Sequence, residues 1–214
     1  MPIRESRSLF FLLCFALVGL VAVFVLTVIY ISNAHSKPQL AKFKDATAYP
    51  SGTGVQAPQM RLENGRTAST FDTANLRGRP YMVTFLYTHC PTICPLIGSE
   101  LQQALKELGP EANRVNVVAL SVDPIGDTVS TVKAWLHVHQ EPSNFQYLIG
   151  SRRQLQPYWN AWHVGPQIAG DPDSSHTAAI YLITPTGRIA GIVSAGTQVP
   201  SSDLAFDFRS LLNS

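Results

Sequence analysis

The stretch Tyr81-Met-Val-Thr-Phe-Leu-Tyr87 is a near-continuous run of apolar, aromatic and β-branched residues. Such a run is typical of a strand that is buried on both faces of a sheet. The segment Cys90-Pro-Thr-Ile-Cys94-Pro95 follows it, and Leu96–Leu108 then has the leucine spacing of a helix that Gly109-Pro110 ends. The sequence therefore predicts a buried strand and a helix that meet at a pair of cysteines.

The rest of this domain alternates between predicted strands and helices. Upstream, Gln59–Leu62 favours a short strand closed by an Asn64-Gly65 hairpin turn, and Phe71–Leu76 favours a short turn or helix. The downstream pattern predicts strands at Val115–Val122, Phe145–Ile149, Ala178–Thr184 and Arg188–Val193, and helices at Asp127–His139 (capped by Asp127 or Thr128), Ser151–Trp162 and Asp203–Leu212. Because alternating strand–helix units build a mostly parallel sheet and the last two strands add a hairpin, we predict an α/β, thioredoxin-like fold with a central mixed sheet.

An uncharged and almost wholly apolar segment, Leu9–Ile31, precedes the domain. As a helix it would be roughly 34 Å long, which is enough to cross a bilayer. We therefore predict a short N-terminal segment 1–8, a transmembrane helix 9–31, a tether 32–54 and a domain 55–214. A short basic start before an apolar run resembles a single-pass signal-anchor of a bacterial inner membrane, with the domain on the periplasmic side; a cleaved signal peptide is the alternative.

Charge and cysteine content narrow the possible functions. The net charge is +2 and only 14% of the residues are charged, so the basic stripe of a nucleic-acid-binding protein is absent. The chain has three cysteines, of which Cys14 lies in the apolar run. A disulfide-stapled scaffold would carry more, so the close pair Cys90 and Cys94 indicates redox chemistry or metal binding.

Cys90 and Cys94 come where the predicted strand passes into the predicted helix. Open parallel sheets place their sites at the carboxyl ends of strands. A helix N-terminus also favours thiolate over thiol, and the thiolate is both the nucleophile and the metal ligand. The three-residue gap puts the sulfurs about one helical turn apart. The pair can therefore close as a disulfide or share a small metal ion.

His176 precedes the predicted strand Ala178–Thr184. In a thioredoxin-like plan, the start of this strand faces the N-terminus of the first helix, so His176 can reach the cysteine pair. Two thiolates and one imidazole form a ligand set suited to copper. Zinc usually requires a fourth ligand, for which Asp123 and Asp173 are candidates, so the residues alone leave both metals open.

Three motifs follow one another along the domain. They are Tyr87-Thr88-His89-Cys90-Pro91-x-x-Cys94-Pro95, then Ser121-Val122-Asp123-Pro124 with Asp127-Thr128, and then His176 leading into Ile180-Tyr181-Leu182-Ile183-x-Pro185-x-Gly187. In this order and spacing the chain resembles the Sco/SenC family of copper-binding assembly factors over about residues 55–212. It departs from the common pattern at Thr92, where many members have Asp, at Leu86, where many have Gly, and at Ser174-Ser175, where Val-Asp is frequent.

The resemblance implies a thioredoxin-like domain that holds copper through Cys90, Cys94 and His176. It also implies that the protein is a metallochaperone rather than an enzyme, and that it delivers copper to the dinuclear copper centre of cytochrome c oxidase subunit II. A further copper chaperone is then a candidate donor.

A membrane-anchored thiol–disulfide oxidoreductase is the alternative function. It would use Cys90 and Cys94 as a redox-active pair, reducing cysteines of the oxidase subunit or of another extracytoplasmic partner. Ordinary thioredoxins have a two-residue gap between their cysteines and a proline directly before the strand that His176 precedes. This chain has a three-residue gap and no such proline, and both differences favour metal binding.

Overall fold

The structure, a computed structural model, describes residues 15–28, 43–44, 46–48, 54–166, 178–195 and 199–213. The chain divides into two compact units, Met1–Gln39 and Leu40–Ser214. In the first unit, residues 15–28 form a helix, α1, whose side chains are exposed. No helix among the described residues combines the length and the apolar character needed to cross a membrane. The ends of the predicted span, 9–14 and 29–31, lie outside the described residues.

The second unit is built on an eight-stranded mixed sheet. Its strands are β1 (Thr47–Ala48), β2 (Arg61–Asn64), β3 (Ser69–Asp72), β4 (Tyr81–Leu86), β5 (Asn116–Ser121), β6 (Phe145–Ile149), β7 (Ala179–Ile183) and β8 (Ile189–Ser194). They lie in the order β1-β8-β7-β4-β5-β6-β2-β3. β4 pairs in parallel with β5 and antiparallel with β7. All six residues of β4 are buried, which confirms the prediction of a central strand covered on both faces.

Four helices accompany this sheet in the described part of the second unit. They are α2 (Ile93–Leu108), α3 (Val129–Val138), α4 (Arg152–Trp162) and α5 (Ser201–Leu212). Each falls within a few residues of its predicted range. Of the two predicted caps of α3, Thr128 is the one used: its hydroxyl accepts a hydrogen bond from the backbone N–H of Thr131. The mixed sheet with flanking helices confirms the predicted α/β class.

The start of α2 differs from the prediction in a way that matters for the site. The helix begins at Ile93 rather than at Leu96, so that Cys94 and Pro95 belong to its first turn. Proline is tolerated there because the first backbone N–H groups of a helix have no partner within the helix. The other end is as predicted: α2 stops at Gly109, whose φ of 61° suits a residue without a side chain.

Strand β3 is not predicted by the sequence pattern. Two of its four residues are exposed and two are half-buried. It pairs only with β2 among the described strands, at one edge of the sheet. An edge strand of this kind needs no continuous apolar run, and the pattern around Phe71 therefore favours a turn or a helix instead. The actual 3-10 turn follows the strand at Thr73–Leu76.

Part of the predicted tether is attached to the domain. Strand β1 lies within the range 32–54 and pairs antiparallel with β8. Next to it, the buried carboxylate of Asp207 in α5 accepts hydrogen bonds from the backbone N–H groups of Lys44 at 2.7 Å and Ala46 at 3.0 Å. The ordered domain therefore begins before residue 55, since this segment is held by both the sheet and α5.

Candidate metal centre

Cys90 and Cys94 flank the junction between β4 and α2. Cys90 lies in the loop after the strand, and Cys94 is the second residue of the helix. The backbone N–H of Cys94 donates a hydrogen bond to Cys90 Sγ over 3.2 Å. The two residues are not joined by a disulfide bond. Cys90 is 6% exposed and Cys94 is fully buried, so the site lies just below the surface.

The described chain resumes near this site after the segment that contains His176. Ala178 is the first residue beyond the gap, and Ala179 begins β7. The carbonyl of Ala179 accepts a hydrogen bond from Thr84 Oγ1 over 3.0 Å, late in β4. The chain therefore enters β7 at the end of β4 from which the cysteine loop departs. His176 itself lies outside the described residues, as does Asp173, so the predicted roles of both stay predictions.

The surroundings of the Cys94 thiol favour its protonated form. Its pKa is raised above the ordinary value, first because it shares a hydrogen bond with Cys90 and second because it is buried. A hydrogen bond with the Tyr87 backbone opposes these effects only in part. Burial, with a further contribution from Cys90, also raises the pKa of the Tyr87 phenol, to about 12. For Cys94, burial and the neighbouring sulfur act against the preference for thiolate that is expected at a helix N-terminus.

A buried carboxylate anchors the loop that carries Cys90. Asp127 accepts hydrogen bonds from the backbone N–H of Thr88 at 2.8 Å, from Ser121 Oγ at 2.6 Å and from the Tyr147 hydroxyl at 3.1 Å. Burial raises the pKa of this carboxyl group, and the hydrogen bonds partly offset that rise. Asp127 thus connects the ends of β4 and β5, and it holds the cysteine loop at Thr88, two residues before Cys90. The sequence pattern predicts Asp127 only as a helix cap. Its position in the second motif is the signal that could have indicated a role near the cysteines.

A second aspartate shapes the loop after β5. Asp123 Oδ1 accepts hydrogen bonds from the backbone N–H groups of Ile125 at 3.1 Å and Gly126 at 2.9 Å. A Cβ at position 126 would lie 2.2 Å from Asp123 Oδ2 and 2.9 Å from His89 Nδ1, so only glycine allows this approach. The loop after β5 therefore touches the residue that precedes Cys90.

The described residues do not by themselves complete a metal site. Among them, no group of three or more His, Cys, Asp or Glu side chains is arranged to hold a metal ion. Asp123, one of the two candidate fourth ligands for zinc, already uses Oδ1 in its turn. What the described part supplies is a close thiol pair, and any further ligand must come from elsewhere.

Two close thiols at the junction of a central strand and a helix, in a mixed sheet of this topology, are typical of thioredoxin-like thiol or metal-binding proteins. The family described as SCO1/SenC matches residues 62–213 of the chain. Since this match covers more than half of the sequence, the chain belongs to the SCO1/SenC family.

Individual relatives agree with this assignment. The chain is 25% identical over 142 residues to the SCO1 protein homolog of Bacillus subtilis, covering 64% of this chain and 72% of that protein. The structure of Bradyrhizobium japonicum ScoI with copper bound is 28% identical, with a TM-score of 0.61 over 73% of this chain and 99% of that one. BsSco, a member of the Sco family of cytochrome c oxidase assembly proteins, shares the fold at 21% identity, with a TM-score of 0.65 over 79% of this chain and 97% of that one.

Proposed function

We propose that this protein binds one copper ion through Cys90, Cys94 and His176 and delivers it to the dinuclear copper centre of cytochrome c oxidase subunit II. The observation that carries the proposal is the approach of the two cysteines, with the Cys94 N–H 3.2 Å from Cys90 Sγ. Membership of the SCO1/SenC family supports copper as the cargo and oxidase assembly as the process. A second copper chaperone is the proposed donor.

The chemistry of the ligand set suits transfer rather than permanent storage. Two thiolates and an imidazole are soft to intermediate donors that favour copper. Three ligands leave the ion open to a fourth group from a partner, so that copper can pass by stepwise ligand exchange without a free ion in solution. The path of the chain supports His176 as the third ligand, because it lies two residues before Ala178, which enters β7 at the cysteine end of β4.

Copper titration of the full chain in detergent tests the ligand set. The reduced protein is titrated anaerobically against a competing chelator, together with Cys90→Ser and His176→Ala. We expect one copper per wild-type chain. Loss of an outer-shell partner typically weakens metal binding by about 10–100-fold, so loss of a direct ligand should weaken it by at least about 100-fold.

The chain offers matched controls for this titration. Cys14→Ser removes the cysteine outside the domain, and His137→Ala removes an exposed histidine of α3; both variants should bind copper like the wild type. Wild-type affinity in His176→Ala would refute the three-ligand site.

Thiol–disulfide exchange is the second candidate function. The unequal burial of the pair favours it. Cys90 is 6% exposed, so its thiolate can attack a disulfide of the partner and form a mixed disulfide, with one partner thiol leaving. The fully buried Cys94 is close enough to attack Cys90 Sγ, which releases the second partner thiol and leaves a Cys90–Cys94 disulfide. If the wild type binds no copper in competition with the chelator but reduces a disulfide on the oxidase subunit, this function replaces copper delivery.

We further propose that residues 9–31 anchor the chain as a single transmembrane helix of a bacterial inner membrane, with the domain on the periplasmic side. The large apolar side chains along α1 are exposed: Phe15 is 75% exposed and Leu20 is 72% exposed. A continuous apolar surface of this kind is unfavourable in water and suits contact with lipid. After alkaline extraction, the wild-type chain should stay with the membranes, and added protease should digest the domain in spheroplasts. Deletion of residues 9–31 should abolish both behaviours. Recovery of the wild-type chain in the soluble fraction would contradict the anchor.

A further inference from the structure

The loop between β5 and α3 presents an isoleucine to solvent beside the cysteine pair. Ile125 is 77% exposed. The loop approaches the cysteine loop where Gly126 lies next to His89. Gly126 directly follows Ile125, and His89 directly precedes Cys90. A large apolar side chain is thus exposed to solvent on a loop that adjoins the cysteine loop of the proposed copper site.

The exposure of Ile125 does not result from a loose loop. Asp123 Oδ1 fixes the backbone N–H groups of Ile125 and Gly126, at 3.1 and 2.9 Å. The carbonyl of Gly126 also accepts a hydrogen bond from Thr131 Oγ1 in α3 over 2.8 Å. Because the backbone is fixed on both sides, little backbone conformational entropy remains to be lost when a partner covers Ile125. A rigid, exposed apolar residue has the properties of an interface anchor.

The surroundings of Ile125 indicate an apolar contact. Tyr87–Leu96 contains no Lys, Arg, Asp or Glu. In the adjoining loop, Asp123 forms the turn and Asp127 is buried beneath it. Pro91 and Thr92, the two residues after Cys90, are exposed without charge. Among the described residues, the rim of the site therefore offers a partner mostly apolar and neutral surface, with the Asp123 carboxylate engaged in its own turn, and electrostatic steering has few groups on which to act.

We infer that Ile125 anchors the copper-receiving protein on this chain by entering an apolar pocket beside that protein's own copper ligands. The inference rests on the proposed function. In direct ligand exchange, the donor groups of both proteins must approach the same ion, so the recipient surface has to cover the residues around Cys90. Ile125 adjoins these residues through the contact between Gly126 and His89, and the recipient buries it when its ligands reach the copper.

Copper transfer between two purified proteins tests this anchor. The full chain, loaded with copper in detergent, is mixed with the copper-free soluble domain of subunit II from the same organism. We expect Ile125→Ser to keep the copper affinity of the wild type. Its affinity for the recipient should be at least about tenfold lower, and so should its rate of copper transfer at recipient concentrations below saturation. Since the contact is apolar, added salt should change wild-type transfer only slightly.

Val138→Ser is the matched control. Val138 ends α3, is 70% exposed and is likewise a large aliphatic residue, but it lies outside the two loops of the site. It should transfer copper within about twofold of the wild type. Transfer by Ile125→Ser at the wild-type rate, or an equal loss in Val138→Ser, would overturn the anchor and leave the proposed function intact. Wild-type protein that binds copper but passes none to the recipient would overturn both.

Discussion

Replacing Glu141 by Gln should remove a destabilisation that grows as the pH rises through the neutral range. Glu141 follows α3 and is only 6% exposed. Neither of its carboxylate oxygens accepts a hydrogen bond from the described residues. It is pressed against α2, since a Cβ at Gly98 would lie 2.7 Å from Glu141 Oε1. Burial raises the pKa of this carboxyl to about 8, although the charges of Arg66 and Lys106 act to lower it.

The direction of the effect follows from the two protonation equilibria. Below the ordinary pKa of 4.5, both the folded and the unfolded chain carry a neutral Glu141. As the pH rises from there to about 8, the unfolded chain loses its proton while the folded chain retains it, so the free energy of unfolding falls. The full difference corresponds to at most about 5 kcal/mol. The side-chain amide of the Glu141→Gln variant cannot ionise, so the variant should lack this contribution.

Urea unfolding across a pH series measures the effect. The difference in unfolding free energy between Glu141→Gln and the wild type should shift in favour of the variant by several kcal/mol, at most about 5, from about pH 5 to about pH 9. Glu63→Gln, a change at an exposed glutamate of β2, is the control and should follow the wild type throughout. Parallel curves for Glu141→Gln and the wild type would show that Glu141 is ionised in the folded protein at neutral pH.

Asp127→Ala should lower the free energy of unfolding by about 4 kcal/mol. The carboxylate accepts three hydrogen bonds, so its removal leaves the Thr88 N–H and the hydroxyls of Ser121 and Tyr147 without this acceptor. Asp127→Asn should cost less than about 1.5 kcal/mol, because its oxygen can still accept from Thr88 and its NH₂ group can donate to the two hydroxyls. The asparagine also avoids the burial of a charge.

Two measurements separate these variants. Urea unfolding gives the stabilities, and hydrogen exchange at the Thr88 amide reports whether the loop before Cys90 is still held. We expect fast exchange in Asp127→Ala and protection close to that of the wild type in Asp127→Asn. Equal stability of the two variants would mean that the hydrogen bonds of Asp127 contribute little and that Ser121 and Tyr147 find other partners.

The features that the sequence predicts well are those that depend on neighbouring residues. The strand at Tyr81–Leu86 shows itself as a continuous apolar run, and the helix after it shows its leucine spacing and a glycine at its end. The cysteines between them are therefore assigned correctly to a strand–helix junction. The predicted start of α2 is three residues late, because Cys94 and Pro95 carry no helical signal of their own.

The features that the sequence does not predict depend on residues distant in the chain. Asp127 acquires its role from Thr88, 39 positions earlier, and from Tyr147, 20 positions later. Glu141 lies in a connection between a helix and a strand, where a glutamate is normally solvated, and its burial against α2 brings it close to Gly98, which is distant in the sequence. Likewise, the raised pKa of Cys94 results from its burial and from the neighbouring sulfur, neither of which can be read from the spacing of two cysteines.

The unequal depth of the two cysteines has a kinetic consequence for any metal ion they share. Solvent reaches Cys90 but not Cys94. A small chelator or thiol that arrives from solution can therefore compete for the bond to Cys90, while the bond to Cys94 stays beyond its reach. Removal of the ion would then be slow with a small chelator and faster with a macromolecule that covers the loop and supplies several ligands in succession. An ion held in this way would be protected from rapid scavenging by small molecules, yet would remain available to a protein that fits the site.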